Sequence, residues 1–201
     1  GAHVIHMEVG QPESPAPTAA RLAAQRALEA GRIGYTEALG MPSRRARIAG
    51  HYKESYGAAI DPGRIVITTG SSGGFILAFL AMFEPGARIA LAEPGYPPYR
   101  HILTALGCEP VTIPISEETR WALTVDAVLA AHRKKPLDGV LVASPANPTG
   151  TMLDAVHLKS LSDACADAGI KFVSDEIYHG LDYAFPAETA AKLSSDALVV
   201  N

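Results

Sequence analysis

The sequence is poor in the features that mark several protein classes. It holds two cysteines, Cys108 and Cys165, in 201 residues, too few for a disulfide framework, and no His/Cys spacing reads as a zinc site. Aromatic residues make up only 6%. The longest uninterrupted apolar run, Phe75 to Phe83, falls far short of the roughly 18 to 20 residues that span a bilayer. No block of Lys or Arg accompanies the net charge of −4, which argues against a nucleic-acid footprint. No charged stretch followed by an apolar core opens the chain, so no secretory signal is read. With 48% hydrophobic and 19% charged residues, the composition is that of a soluble, cytosolic globular protein with material for a core.

Short apolar runs recur at Ile65–Thr68, Ile89–Ala92, Pro110–Ile113, Gly139–Ala143, Lys171–Ser174 and Ala197–Val200. Helical stretches lie between them, near Gly73–Phe83, Pro97–Leu106, Thr124–His132 and Asp154–Ala168. Strands alternating with helices predict βαβ units, and so a mostly parallel sheet covered on both faces, a three-layer α/β/α sandwich. Ahead of this pattern, a short apolar piece (His3–Val9) and a Pro-rich stretch (Gln11–Pro17) precede two helices. The first runs between Pro17 and Gly31, following the preference for Pro at a helix start and Gly beyond its end; the second covers about Pro42–Tyr56. Residues 1–40 are read as an N-terminal arm and helix, and 41–201 as the large domain.

Ligands of open α/β sheets collect outside the carboxyl ends of the strands, so the residues after each apolar run carry the functional information. After Thr68 comes Thr69-Gly-Ser-Ser-Gly-Gly74, a turn able to offer backbone N–H groups, hydroxyls and a helix N-terminus to a phosphate. It is neither a Walker motif nor G-x-G-x-x-G, and such a segment by itself is more often a plain turn. After Ala143 comes Ser144-Pro-Ala-Asn-Pro-Thr-Gly150, where Pro148 biases Asn147 toward an extended conformation. Asn147 is either a turn residue or an amide aimed at a ligand. After Ser174, Asp175 either caps a turn or presents a carboxylate to a cation, with Tyr178 beside it. Tyr96, in Glu93-Pro-Gly-Tyr-Pro-Pro-Tyr99, is either surface packing or a stacking platform. Together the four describe a seat for a planar, phosphorylated, cationic ring.

These segments resemble the fold type I pyridoxal-phosphate enzymes, specifically class I/II aminotransferases. The resemblance rests on Gly34-Tyr-Thr-Glu-Ala-Leu-Gly40, the Thr68–Gly74 turn, Glu93–Tyr99, Ala146-Asn-Pro-Thr-Gly150 and Ser174-Asp-Glu-Ile-Tyr178, in order over nearly the whole chain. It implies that Gly70, Ser71, Ser72 and Gly73 hold the phosphate of pyridoxal 5′-phosphate, and that Tyr96 stacks on its ring. It implies that Asp175 pairs with the ring nitrogen and that Asn147 and Tyr178 bond the ring O3′. Tyr35 is expected to reach the neighbouring subunit's phosphate in a homodimer, and Gly10 to contact the substrate carboxylate. The implied partners are an α-amino acid and a 2-oxo acid.

The family's Schiff-base lysine has no match among Lys53, Lys134, Lys135, Lys159, Lys171 and Lys192 and is expected beyond Asn201. In the family's seven-stranded sheet the strand matching Ile65–Thr68 pairs with an antiparallel seventh strand, also expected beyond Asn201. The chain therefore reads as about half of an aminotransferase, without its small C-terminal domain, inactive by itself and either unstable alone or dependent on complementation. Two other readings stay open: a non-catalytic module that binds pyridoxal phosphate or another phosphorylated ligand, and another fold type I enzyme such as a C–S lyase or synthase. A Rossmann-like nucleotide module is disfavoured by the lack of G-x-G-x-x-G and its acidic ribose partner.

Overall fold

The computed structural model describes residues 3, 10, 14–31 and 34–201. The apolar piece read at His3–Val9 lies, His3 apart, outside them. Two compact units make up the chain, residues 1–38 and 39–201.

The first unit contains α1 (Thr18–Glu29), whose N-cap is Pro17 and which carries no buried residue. The second opens with α2 (Pro42–Tyr56), which has Pro at its first turn. It stops at Gly57, in the left-handed conformation that a residue without Cβ adopts freely, with Ala58 N–H returning to the Tyr52 carbonyl. Then follow α3 (Gly70–Met82), β1 (Arg88–Glu93), α4 (Pro97–Ala105), β2 (Glu109–Pro114), α5 (Val125–Lys134), β3 (Gly139–Ala143), α6 (Ala155–Asp167), β4 (Lys171–Asp175), α7 (Ala190–Leu193) and β5 (Leu198–Val200). Thr124 and Asp154 accept from the backbone N–H three residues on, which fixes the starts of α5 and α6.

The strands form one sheet in the order β2-β1-β3-β4-β5, and every pairing is parallel. Because successive strand residues face opposite sides, the core divides in two. Ile89, Leu91, Leu141 and Val173 pack with Phe75 and Phe79 of α3 and with Tyr99 and Leu103 of α4. Ala90, Val140, Val142 and Phe172 pack on the other side with Val128 of α5 and Leu158, Leu161 and Cys165 of α6. This is the α/β/α sandwich that the alternation predicts. Both cysteines are buried free thiols, and burial pushes the Cys165 thiol up to about 12, so it behaves as a small apolar side chain.

One expected strand is not observed as such. Ile65–Thr68 joins no ladder among the described residues; Ile65 N–H bonds the Pro62 carbonyl at 3.2 Å and Ile67 N–H the Leu39 carbonyl at 3.0 Å. Apolar sequence supplies the propensity, but a strand requires a neighbour with free backbone groups alongside.

Candidate functional site

The site gathers at the carboxyl ends of β1, β3 and β4. Asp175 closes β4 and is 4% exposed. One of its oxygens, Oδ1, accepts from Ile177 N–H at 3.1 Å, and Oδ2 accepts the Tyr99 hydroxyl in a short hydrogen bond. Burial holds its carboxyl above the usual carboxylate range, opposed by the Tyr99 and Ile177 donors and by nearby His179. Each carboxylate oxygen has a second lone pair, so Asp175 retains capacity for one more N–H donor.

Tyr99 lies one helical turn beyond Tyr96, which places both on one side of the start of α4. Their rings meet edge to face at 5.2 Å, and Tyr99 meets Phe75 at the same separation. Phe75 belongs to the first turns of α3, so the aromatic column Phe75–Tyr99–Tyr96 links the Gly/Ser turn to the Tyr96 loop. A second link runs through β5. A Cβ added at Gly74 would lie 3.3 Å from Val200, which is in register with Asp175 and accepts from Glu176 N–H at 2.8 Å. The turn Gly70–Gly73 therefore sits at the same end of the sheet as Asp175.

That turn suits an anion. Gly70 has φ +80°, and the N-cap residue Thr69 makes no side-chain capping bond; the Thr68 hydroxyl instead donates to the Gly70 carbonyl, 2.8 Å. The helix starts without a built-in side-chain acceptor for its first N–H groups, beside the Ser71 and Ser72 hydroxyls.

After β3 the chain enters the Ser144–Gly150 loop, with cis peptides before Pro145 and Pro148. Ala146 N–H bonds the Thr151 carbonyl at 2.9 Å and Gly150 N–H the Ala146 carbonyl at 2.7 Å, which closes the loop. Asn147 Nδ2 lies 3.5 Å from the Tyr178 hydroxyl, at the long limit of a hydrogen bond, and Tyr178 is 38% exposed. Behind the Tyr96 loop a small cavity of about 40 Å³ is lined in part by Tyr96, Tyr99, Trp121 and Asn147.

The structure thus brings together Gly70, Ser71, Ser72, Gly73, Tyr96, Asn147, Asp175 and Tyr178. Gly10 and Tyr35 belong to the first unit, where both are exposed. The lysines stand elsewhere. Lys171 opens β4 at the opposite end of the sheet, donates to the Met82 carbonyl and lies over the Phe83 ring. Lys135 pairs with Glu109, Lys159 with Asp163 and Lys192 with Glu188. Sequence reasoning did not assign roles to Tyr99, Tyr56 or His179. Tyr99 carried a signal, its i+3 spacing from Tyr96. Tyr56 carried none, because its bond to His179 joins residues 123 positions apart.

An α/β/α sheet with an anion-seeking helix start, an aromatic platform and a buried carboxylate at its strand ends describes a class of ligand-binding enzyme domain. The family follows from comparison: residues 2–200 match the model for aminotransferase class I and II, and the chain belongs to that family. It is 46% identical over 200 residues to the valine–pyruvate aminotransferase of Mycobacterium tuberculosis, covering 98% of this chain and 51% of that protein. An aminotransferase structure from Mycobacterium tuberculosis superposes with TM-score 0.89 at 47% identity, over 95% of this chain and 52% of that one. The Thermus thermophilus aspartate aminotransferase tetra mutant superposes with TM-score 0.90 at 25% identity, over 95% of this chain and 53% of that one. The chain spans about half the length of the relatives it matches. Among the described residues no helix is long and apolar enough to cross a membrane, and no group of three or more His, Cys, Asp or Glu converges as metal ligands.

Proposed function

We propose that this chain forms the cofactor face of a pyridoxal 5′-phosphate-dependent aminotransferase that exchanges an amino group between an α-amino acid and a 2-oxo acid. The observation that carries the reading is Asp175, a buried carboxylate with a free lone pair at the sheet's ligand-binding edge, in register with the strand that packs against the Gly70–Gly73 turn. When bound, the cofactor supplies an electron sink for the charge that develops at the substrate Cα.

The protein's own part is positioning and charge. Gly70, Ser71, Ser72 and Gly73 hold the phosphate with backbone and hydroxyl donors at the start of α3. Tyr96 stacks on the ring. Asp175 keeps the ring nitrogen protonated, because a carboxylate beside it favours the charged form. Asn147 and Tyr178 donate to O3′. In a cytoplasmic homodimer Tyr35 reaches the partner subunit's phosphate, and the Gly10 backbone holds the substrate carboxylate. None of the lysines that were placed above stands at these strand ends, so the seat proposed here is the non-covalent part of the cofactor site. On this reading residues 1–201 hold the cofactor without a covalent link.

Pyridoxamine 5′-phosphate needs no lysine and tests the seat directly. It is expected to bind the full-length protein, and Asp175→Asn is expected to weaken binding about 10- to 100-fold, the loss of one charge-assisted hydrogen bond. Equal affinity of the two proteins, read by fluorescence titration, would overturn the reading. For the full-length protein, valine and pyruvate are the first pair to assay, since they name the Mycobacterium tuberculosis relative.

A further inference from the structure

The contact between Asn147 and Tyr178 is too long and too exposed to fix its own geometry, yet both side chains must point at one atom for the proposed seat to work. What fixes them lies one residue away. His179 has a side chain only 3% exposed. Its Nε2 is 3.1 Å from the Ser144 carbonyl, and a carbonyl only accepts, so Nε2 carries the proton. In the neutral ring Nδ1 is then the acceptor, and the Tyr56 hydroxyl of α2 donates to it at 2.9 Å. Glu176 Oε2 also stands 3.6 Å from Nδ1.

Ser144 is the other half of this junction. Its N–H donates to the Asp175 carbonyl at 3.1 Å, its hydroxyl accepts Leu153 N–H at 2.9 Å, and its carbonyl receives His179. Three residues later comes Asn147; one residue before His179 comes Tyr178. A buried bond between the two loop roots therefore sets the separation of the two loop tips.

We infer that His179 is a positioning residue: through the Ser144 carbonyl, with its tautomer set by Tyr56, it locks the Tyr178 turn to the Asn147 loop and so aligns the two O3′ donors. The inference rests on the proposed cofactor reading. It predicts coupling that a packing role lacks. A side chain that merely fills space acts independently of Tyr178, whereas one acting through Tyr178 has nothing left to act on once that hydroxyl is gone.

The test is a set of pyridoxamine 5′-phosphate titrations on the cofactor-free full-length protein. His179→Ala is expected to weaken binding about fivefold to tenfold, one buried hydrogen bond's worth. His179→Gln, whose amide N–H reaches the place of Nε2–H, is expected to return to within about twofold of wild type. In a Tyr178→Phe background the alanine substitution is expected to cost less than about twofold. Tyr56→Phe keeps its ring contacts and removes only the hydroxyl; its expected weakening of about two- to threefold carries the test should His179→Ala fail to fold. Wild-type affinity in His179→Ala and Tyr56→Phe, no rescue by glutamine, or full additivity with Tyr178→Phe would each overturn the inference. If Asp175→Asn still weakens binding about 10- to 100-fold in that case, the cofactor reading stands and only the role of His179 falls. Absence of binding by the wild-type full-length protein overturns both.

Discussion

Tyr99→Phe isolates the partner of the central carboxylate. The substitution removes one oxygen and leaves the ring, so its edge-to-face contacts with Phe75 and Tyr96 at 5.2 Å remain available. What is lost is the hydroxyl that donates to Asp175 Oδ2 inside a buried site. Burial, then the Asp175 charge, raise the Tyr99 pKa, so the hydroxyl is a donor at every working pH. A hydrogen bond to a charged group contributes about 1.5–3 kcal/mol. For a domain of this size 1 kcal/mol moves Tm by about 2–4 °C, so the expected fall is about 3–12 °C. The effect has a sign in pH. Burial already raises the Asp175 pKa, and losing a donor to the ionised form raises it further. The variant is therefore hurt most where wild-type Asp175 is ionised, and the Tm difference shrinks on acidification through its raised pKa. Circular dichroism melts at neutral and acid pH read this directly. A fall below about 1 °C, a pH-independent fall, or an equal fall in an Asp175→Asn background would refute the assignment of Tyr99 as that carboxylate's donor.

Two further substitutions test the frame around the site. Glu176→Gln removes a buried charge: Oε1 accepts Ser174 Oγ and Ala190 N–H, but Oε2 has no hydrogen-bond partner among the described residues, and burial raises the carboxyl's pKa. A raised carboxylate pKa means stability lost as pH rises through it, so the variant is expected to gain about 1–3 kcal/mol at neutral pH and nothing in acid; a melt difference constant with pH would contradict this. Gly139→Ala would place a Cβ 2.4 Å from Phe83 Cζ in the core, an overpacking cost of about 1–3 kcal/mol. Denaturant unfolding should show that loss, and Phe83→Leu added to Gly139→Ala should return part of it; no loss would mean that Phe83 moves aside freely.

Much of the frame was readable because parallel strands buried on both faces announce themselves as short apolar runs. Gly139–Ala143 is predicted and observed with the same bounds, and α2 likewise over Pro42–Tyr56. Ile65–Thr68 shows the limit of that signal: its residues suit a strand, but pairing is a property of the neighbour. The strand-end rule located Asp175, Asn147 and Tyr96, since position after an apolar run is a one-dimensional fact. The groups that hold them are a different matter. Tyr56 meets His179 across 123 positions, Asn201 approaches Tyr52 across 149, and Ser144 joins Asp175 through backbone atoms that every residue shares. No residue type or spacing marks such contacts; only the fold creates them.

Asp175 and Glu176 show why two adjacent buried acids are not redundant. Successive strand residues face opposite sides, so Asp175 turns toward Tyr99 on the α3–α4 face while Glu176 joins Ser174 and Ala190 on the α6–α7 face. Both pKa values are raised by burial, so both charges cost stability as pH rises through them. Asp175 lies at the sheet's ligand-binding edge, where an added cationic donor would offset that cost. A protonated ring nitrogen bound there favours the ionised carboxylate and pulls its pKa back down, so binding must release protons where free Asp175 is still partly neutral. It follows that wild-type affinity for pyridoxamine 5′-phosphate climbs with pH along this acidic limb, while Asp175→Asn lacks that climb. On the proposed reading, the burial that weakens the free fold is what a positively charged ring beside Asp175 would relieve.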